Sequence, residues 1–149
     1  MADEPTLYVA NLTKVNRELR KMGKEWDQEL RDASGDIAAQ LVGAVQRRVG
    51  AGGPQDARMG QYLKVRRGNR PRISWGANRK AYSGGARPSE LVYGVEFGGN
   101  SWRFAKPHRG RQGYYLYPQV RRDGPAITRR YFEAVEEVWD RAARAVRAA

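Results

Sequence analysis

Cysteine is absent from the 149 residues and histidine occurs once, at His108. The first absence rules out disulfides, thiolate nucleophiles and cysteine-held zinc or iron–sulfur sites, and leaves the redox compartment unread. The second removes the usual general base and metal ligand from everywhere except one basic loop. There Lys106, Arg109 and Arg111 would lower the imidazole pKa and repel a metal ion. No apolar run approaches the roughly 20 residues needed to cross a bilayer. The beginning, Met1-Ala2-Asp3-Glu4-Pro5, is acidic and carries no signal-peptide pattern. The expectation is a product that stays where it is made or leaves as part of an assembly.

Acidic residues are scarce in the middle of the chain. The total charge is +12, but Arg58 to Arg122 holds 15 Lys and Arg against only Glu90 and Glu96, a net +13, and the remainder sums to −1. Such asymmetry points to an anionic partner for the middle, either nucleic acid or an acidic protein surface, against the plainer reading that the charge only confers solubility. Paired-carboxylate catalysis finds no pair. Glu90 and Glu96, on one strand, would stand roughly 20 Å apart at about 3.3 Å per residue. The glycine-rich run Gly50–Gly53 follows a helix pattern instead of opening one, the wrong order for holding phosphate. No nucleophile triad can be assembled, so the expectation is a non-enzyme without cofactor or metal.

What is present is periodicity. Residues 1–11 read as a loose leader and 12–149 as a single domain. From Leu12 an apolar stripe steps by three or four through Val15, Leu19, Met22, Trp26, Leu30, Ala33, Ile37, Leu41 and Ala44 to Val45 and Val49. This predicts a helix over 12–49, either continuous or broken in line at Ser34-Gly35-Asp36. Gly50, as a left-handed cap, and Pro54 end it, and 50–60 reads as a loop. Alternation predicts strands over 61–67 and 71–75 around Gly68-Asn69. A third strand is predicted at Leu91-Val92-Tyr93-Gly94-Val95-Glu96-Phe97-Gly98-Gly99, with Tyr93 and Phe97 facing the core and Glu96 paired to a sheet arginine. Tyr114–Tyr117 reads as a short fourth strand, and Asp123-Gly124-Pro125 as the start of a last helix over 125–147.

The fold expected is α+β: a long N-terminal helix, a small antiparallel β-meander with strands and long basic loops over 61–118, and a C-terminal helix packed on the sheet. Loops 50–60, 76–89 and 100–113 are expected to order on docking. Basic residues interleaved with aromatics mark nucleic-acid surfaces and protein hot spots alike. The candidate interface residues, facing a protein or DNA, are Arg66, Arg67, Arg70, Arg79, Lys80, Arg87, Trp102, Arg103, Phe104, Lys106, Arg109 and Arg111.

Two segments carry a resemblance. Tyr93-Gly94-Val95-Glu96-Phe97-Gly98-Gly99, and Tyr115-Leu116-Tyr117-Pro118 before the closing helix, are similar to segments of the gene-product-ten-like family of long-tailed bacteriophages. In that family a Tyr-Ala-x-Val-Glu-Phe-Gly segment and a Pro-Phe-Leu-x-Pro-Ala segment recur. This chain departs at Arg58-Met59-Gly60-Gln61-Tyr62-Leu63, where the family often has Thr-Gly-x-Leu, and at Tyr114-Tyr115, which replaces Pro-Phe. The resemblance implies a structural virion protein of the head–tail junction: a neck, connector, tail-completion or terminator subunit. It implies a homo-oligomeric ring of six or twelve copies against other junction or tail-tube proteins, with non-specific contact to packaged DNA and none to membrane. Its place would be the virion, after assembly in the host cytoplasm. The competing readings are a free nucleic-acid-binding protein using the basic middle and, with less support from the residue inventory, a small hydrolase or nuclease.

Overall fold

The computed structural model describes residues 12–100, 104 and 112–148, with side chains from Arg20 onward. The expected leader over 1–11 lies outside them. The fold is α+β, and among the described residues it is built from four helices and one antiparallel hairpin.

One helix, α1 (Leu12–Gly50), runs unbroken through Ser34-Gly35-Asp36. Glycine there costs about 1 kcal/mol against alanine, and burial from Ser34 onward offsets it. Ser34, Ala38, Val42, Val45 and Val49 form one buried line in steps of three and four. Gly50 is not a left-handed cap. The described glycines with positive φ are Gly76, Gly84, Gly85, Gly98 and Gly113. The chain instead leaves α1 through bonds from Ala51 N–H to Arg47 O and from Gly52 N–H to Val49 O.

The expected loop over 50–60 contains a second helix, α2 (Pro54–Gly60). Pro54 cannot continue α1 but suits the first turn of a new helix, where its missing N–H costs nothing. Met59 is fully buried. Its carbonyl accepts from Trp75 Nε1 at 3.0 Å and from Tyr62 N–H at 3.1 Å.

Strands β1 (Leu63–Arg66) and β2 (Arg72–Trp75) form the hairpin that alternation predicts, although five residues rather than a Gly-Asn pair connect them. Leu63 pairs with Trp75, Lys64 with Ser74, Val65 with Ile73 and Arg66 with Arg72. The face bearing Leu63, Val65, Ile73 and Trp75 packs on Val42, Val45 and Val49 of α1. Among the described residues this hairpin is the whole sheet.

The segment read as the central strand is a helix, α3 (Pro88–Phe97). Its composition favours strand, but its start is written for a helix. Pro88 occupies the first turn, and the Glu90 carboxylate accepts the Arg87 N–H at 2.9 Å. Burial follows a helical period: Pro88 and Val95 face inward with Leu91 and Val92 beside them, and Tyr93 is 73% exposed. Tyr93 is therefore not core. Phe97 is half-buried in an outer aromatic row, its ring centroid 6.5 Å from Tyr93 and 5.3 Å from Tyr117. Gly98, at φ 74°, ends the helix.

The fourth strand is also absent. Helix α4 (Leu116–Ala148) begins nine residues before the expected start and carries Pro125 inside it. It lies antiparallel along α1, with Arg141 paired to Glu29 at 2.6 Å and Arg130 bonded to Gln40. Its first half also meets the hairpin, where Val120 and Ile127 share a cleft with Pro71 and Ile73 and the Tyr131 hydroxyl donates to Asn69 O at 3.1 Å.

Candidate functional site

Two features organise the basic middle: a buried carboxylate joint and a cationic hairpin face. The joint begins at Glu96, which is 2% exposed. A helix start leaves its first backbone N–H groups without intrahelical partners and attracts negative charge. The Glu96 carboxylate supplies both needs for α4 from 20 residues away. Oε2 accepts the N–H groups of Tyr115 at 3.2 Å and Leu116 at 2.9 Å, and Oε1 accepts that of Tyr117 at 2.9 Å. The next residue is Pro118, which has no N–H to satisfy. Gln119 N–H then bonds back to Tyr115 O. Every donor at this helix start is accounted for, and Glu96 is not the partner of a sheet arginine.

The approach to the carboxylate is built from glycine and backbone. Tyr114 N–H donates to Glu96 O at 2.7 Å. Gly113 adopts φ 76°, and a Cβ there would sit 2.1 Å from Glu96 Oε1. Around the joint, Arg48 Nη2 donates to Tyr114 O at 3.4 Å, and the Tyr115 hydroxyl donates to Asp56 Oδ2 at the head of α2. Burial, with the Asp56 hydrogen bond and charge behind it, pushes the Tyr115 phenol well above its ordinary range. Four helices thus meet through Glu96, Tyr114, Tyr115, Arg48 and Asp56.

Phe104, expected at an interface, packs inward. Its ring lies over Gly94 and Gly99, where a Cβ on Gly94 would approach Phe104 Cζ to 2.6 Å, and it joins the cluster of Met59, Tyr62 and Val95. The loop expected over 76–89 also packs on the body of the chain, and its last two residues belong to α3. Gly76 N–H bonds Tyr62 O, Ser89 N–H bonds Ala77 O, and Ala81 and Tyr82 pack on the same cluster. The Arg58 guanidinium stacks on the Tyr82 ring at 4.8 Å and donates to Ala81 O. Burial raises the Tyr82 phenol pKa, Tyr62 adds to the rise, and Arg58 opposes it.

The hairpin brings Arg66, Arg67 and Arg70 together and adds Lys64 and Arg72, which the candidate set lacks. Alternation could have found both, since β1 and β2 put Lys64, Arg66, Arg72 and Ser74 on the face turned from α1. Arg66 and Arg72 stand directly opposite each other, a destabilising like-charge pair. Arg66 Nε donates to Ser74 Oγ at 3.0 Å. Among the described residues no carboxylate forms an ion pair with any of these five cations. The two acids of the middle are both committed to backbone amides, Glu90 at α3 and Glu96 at α4.

Arg79 and Lys80 are exposed on the connection from β2 to α3, with the Lys80 stem against Gly85, and Arg87 is exposed at the head of α3. Trp102, Arg103, Lys106, His108, Arg109 and Arg111 lie outside the described residues. Among the described residues no cluster of His, Cys, Asp and Glu could hold a metal ion, and no helix is long and apolar enough to cross a membrane. Compared with family models, curated proteins and solved structures, the chain matches none of them.

Proposed function

We propose that this chain is a structural subunit of the head–tail junction of a tailed bacteriophage, assembled as a ring and performing no chemistry. One observation carries the reading. The two segments in which the chain resembles the gene-product-ten-like family, 93–99 and 115–118, are two halves of one joint: the carboxylate of the first caps the helix that the second opens. Their joint presence in one sequence then has a mechanical reason, and two short similarities count as a single structural unit. That unit fixes α3, α4 and the end of α1 into a stiff frame, which suits a part that must hold shape under load.

The surfaces agree with assembly. Tyr93, Tyr117, Phe132 and Trp139 are large and exposed, and among the described residues no carboxylate pairs with the cations of the hairpin face. Ring subunits bury such groups against neighbours. Removing the gene from the phage that encodes it should give filled heads and finished tails that do not join. Infectious particles produced without the chain would overturn the proposal. The cationic hairpin also favours a second reading, a free nucleic-acid-binding protein. That reading expects duplex affinity falling steeply with salt as counterions are released.

A further inference from the structure

The outer side of α4 carries Phe132, Trp139 and Val146 at seven-residue intervals, 58%, 73% and 54% exposed. Seven residues are nearly two helical turns, so the three form one line along the helix. Single exposed apolar residues are ordinary; three in register, two of them aromatic, mark a contact surface. Between Phe132 and Trp139 its surroundings are acidic, while Arg129 and Arg130 precede that stretch and Arg141, Arg144 and Arg147 follow it. Residues 131–140 hold Glu133, Glu136, Glu137 and Asp140 and no basic residue. Residues 25–36 of α1, antiparallel alongside, hold five acids and one base, Arg31. Glu136 falls between Phe132 and Trp139 at helical spacings of four and three.

The same chain carries the complement. Residues 64–72 hold five basic residues and no acid, on a hairpin whose outer face is turned from α1. Two identical α4 faces meeting about a two-fold centred on residues 133–140 would set acid against acid, so charge opposes that register. A phosphate backbone would answer the hairpin but leave the aromatic line uncovered. A guanidinium answers both, because it pairs with carboxylate and stacks on indole.

We infer that the hairpin of one copy docks on the Phe132–Trp139–Val146 face of α4 of the next, with Lys64, Arg66 and Arg72 set against Glu136 and Asp140 and a guanidinium over Trp139. The inference rests on the ring-subunit reading in taking the partner to be another copy. The two faces lie on different parts of the chain, so each copy keeps one free face of each kind. The contact is heterologous, and it closes into a ring wherever the rotation permits.

The test uses the full chain and two variants, Arg66→Glu with Arg72→Glu, and Glu136→Arg with Asp140→Arg. All four positions are exposed, so melting curves should match wild type. Native mass in physiological salt should show wild type associated and each variant alone monomeric. An equal mixture of the two should re-associate, because it restores one native face pair and creates one reversed pair. Trp139→Ser should weaken association by about ten-fold or more, as a hot-spot aromatic does. A monomeric wild type, a folded charge variant that associates normally, or a mixture that stays monomeric would overturn the inference. Association that obeys the charge swap, with the chain missing from purified particles, would uphold the face pairing and remove the virion reading. The chain present in particles while association ignores the swap would do the reverse.

Discussion

At the scale of the residue, Glu96 does the most. A buried carboxylate facing three backbone N–H groups holds them by charge-assisted hydrogen bonds and faces the positive end of α4. Glu96→Gln keeps the shape and loses the charge, and one amide end then presents donors to donors. It should cost about 1–3 kcal/mol in a urea or thermal melt; an unchanged melt would mean that the cap contributes nothing. Tyr115 supplies a pH dependence of known sign. Its folded pKa lies above the ordinary phenol value of 10.0, so the fold favours the protonated phenol. That contribution is complete below pH 10 and is lost as pH rises past the unfolded value. Tyr115→Phe should cost about 1 kcal/mol near neutrality by removing the bond to Asp56 and should flatten the alkaline limb of the stability curve. A variant whose alkaline limb matches wild type would contradict this role.

At the scale of the element, the chain divides into parts that local pattern reveals and parts it cannot. The long stripe of α1 and the alternation of β1 and β2 are legible because their neighbours lie on the same element or across a short connection. Segment 91–99 is not, since Val92, Tyr93, Val95 and Phe97 suit a strand as well as a buried helix. Pro88 and Glu90, at the first and third helical positions, are the signal that separates the two. Glu90→Ala should accordingly lower stability by about 0.5–2 kcal/mol, the range for a lost N-terminal cap, read by helix content during a melt; no change would mean that the Arg87 bond is incidental. The start of α4 is illegible for another reason: its cap lies 20 residues upstream, beyond any local window. Of the candidate site, the hairpin arginines were readable from sequence. Phe104 was not, because its seat on Gly94 and Gly99 depends on α3 being a helix. The hairpin also carries a test of opposite sign. Arg72→Thr removes the repulsion across from Arg66 and should stabilise the isolated chain by about 0.2–1 kcal/mol. The same change should weaken self-association. Loss of stability instead would show that the two guanidiniums do not oppose each other in solution.

At the scale of the molecule, opposite charge is sorted onto separate parts. The hairpin is wholly basic, the middle of the α1–α4 pair is strongly acidic, and exposed aromatics line the acidic part. Such a layout gives a chain two unlike surfaces with affinity for each other. It also explains why the two acids of the basic middle go unused for neutralisation: each is needed at a helix start. The decisive question is whether the chain's natural partner is itself. The most direct measurement is the native mass of the full chain in physiological salt, with and without duplex DNA. A discrete oligomer that is indifferent to DNA is the predicted result. A monomer that binds duplex with a steep salt dependence would contradict it, and would assign the hairpin cations to phosphate.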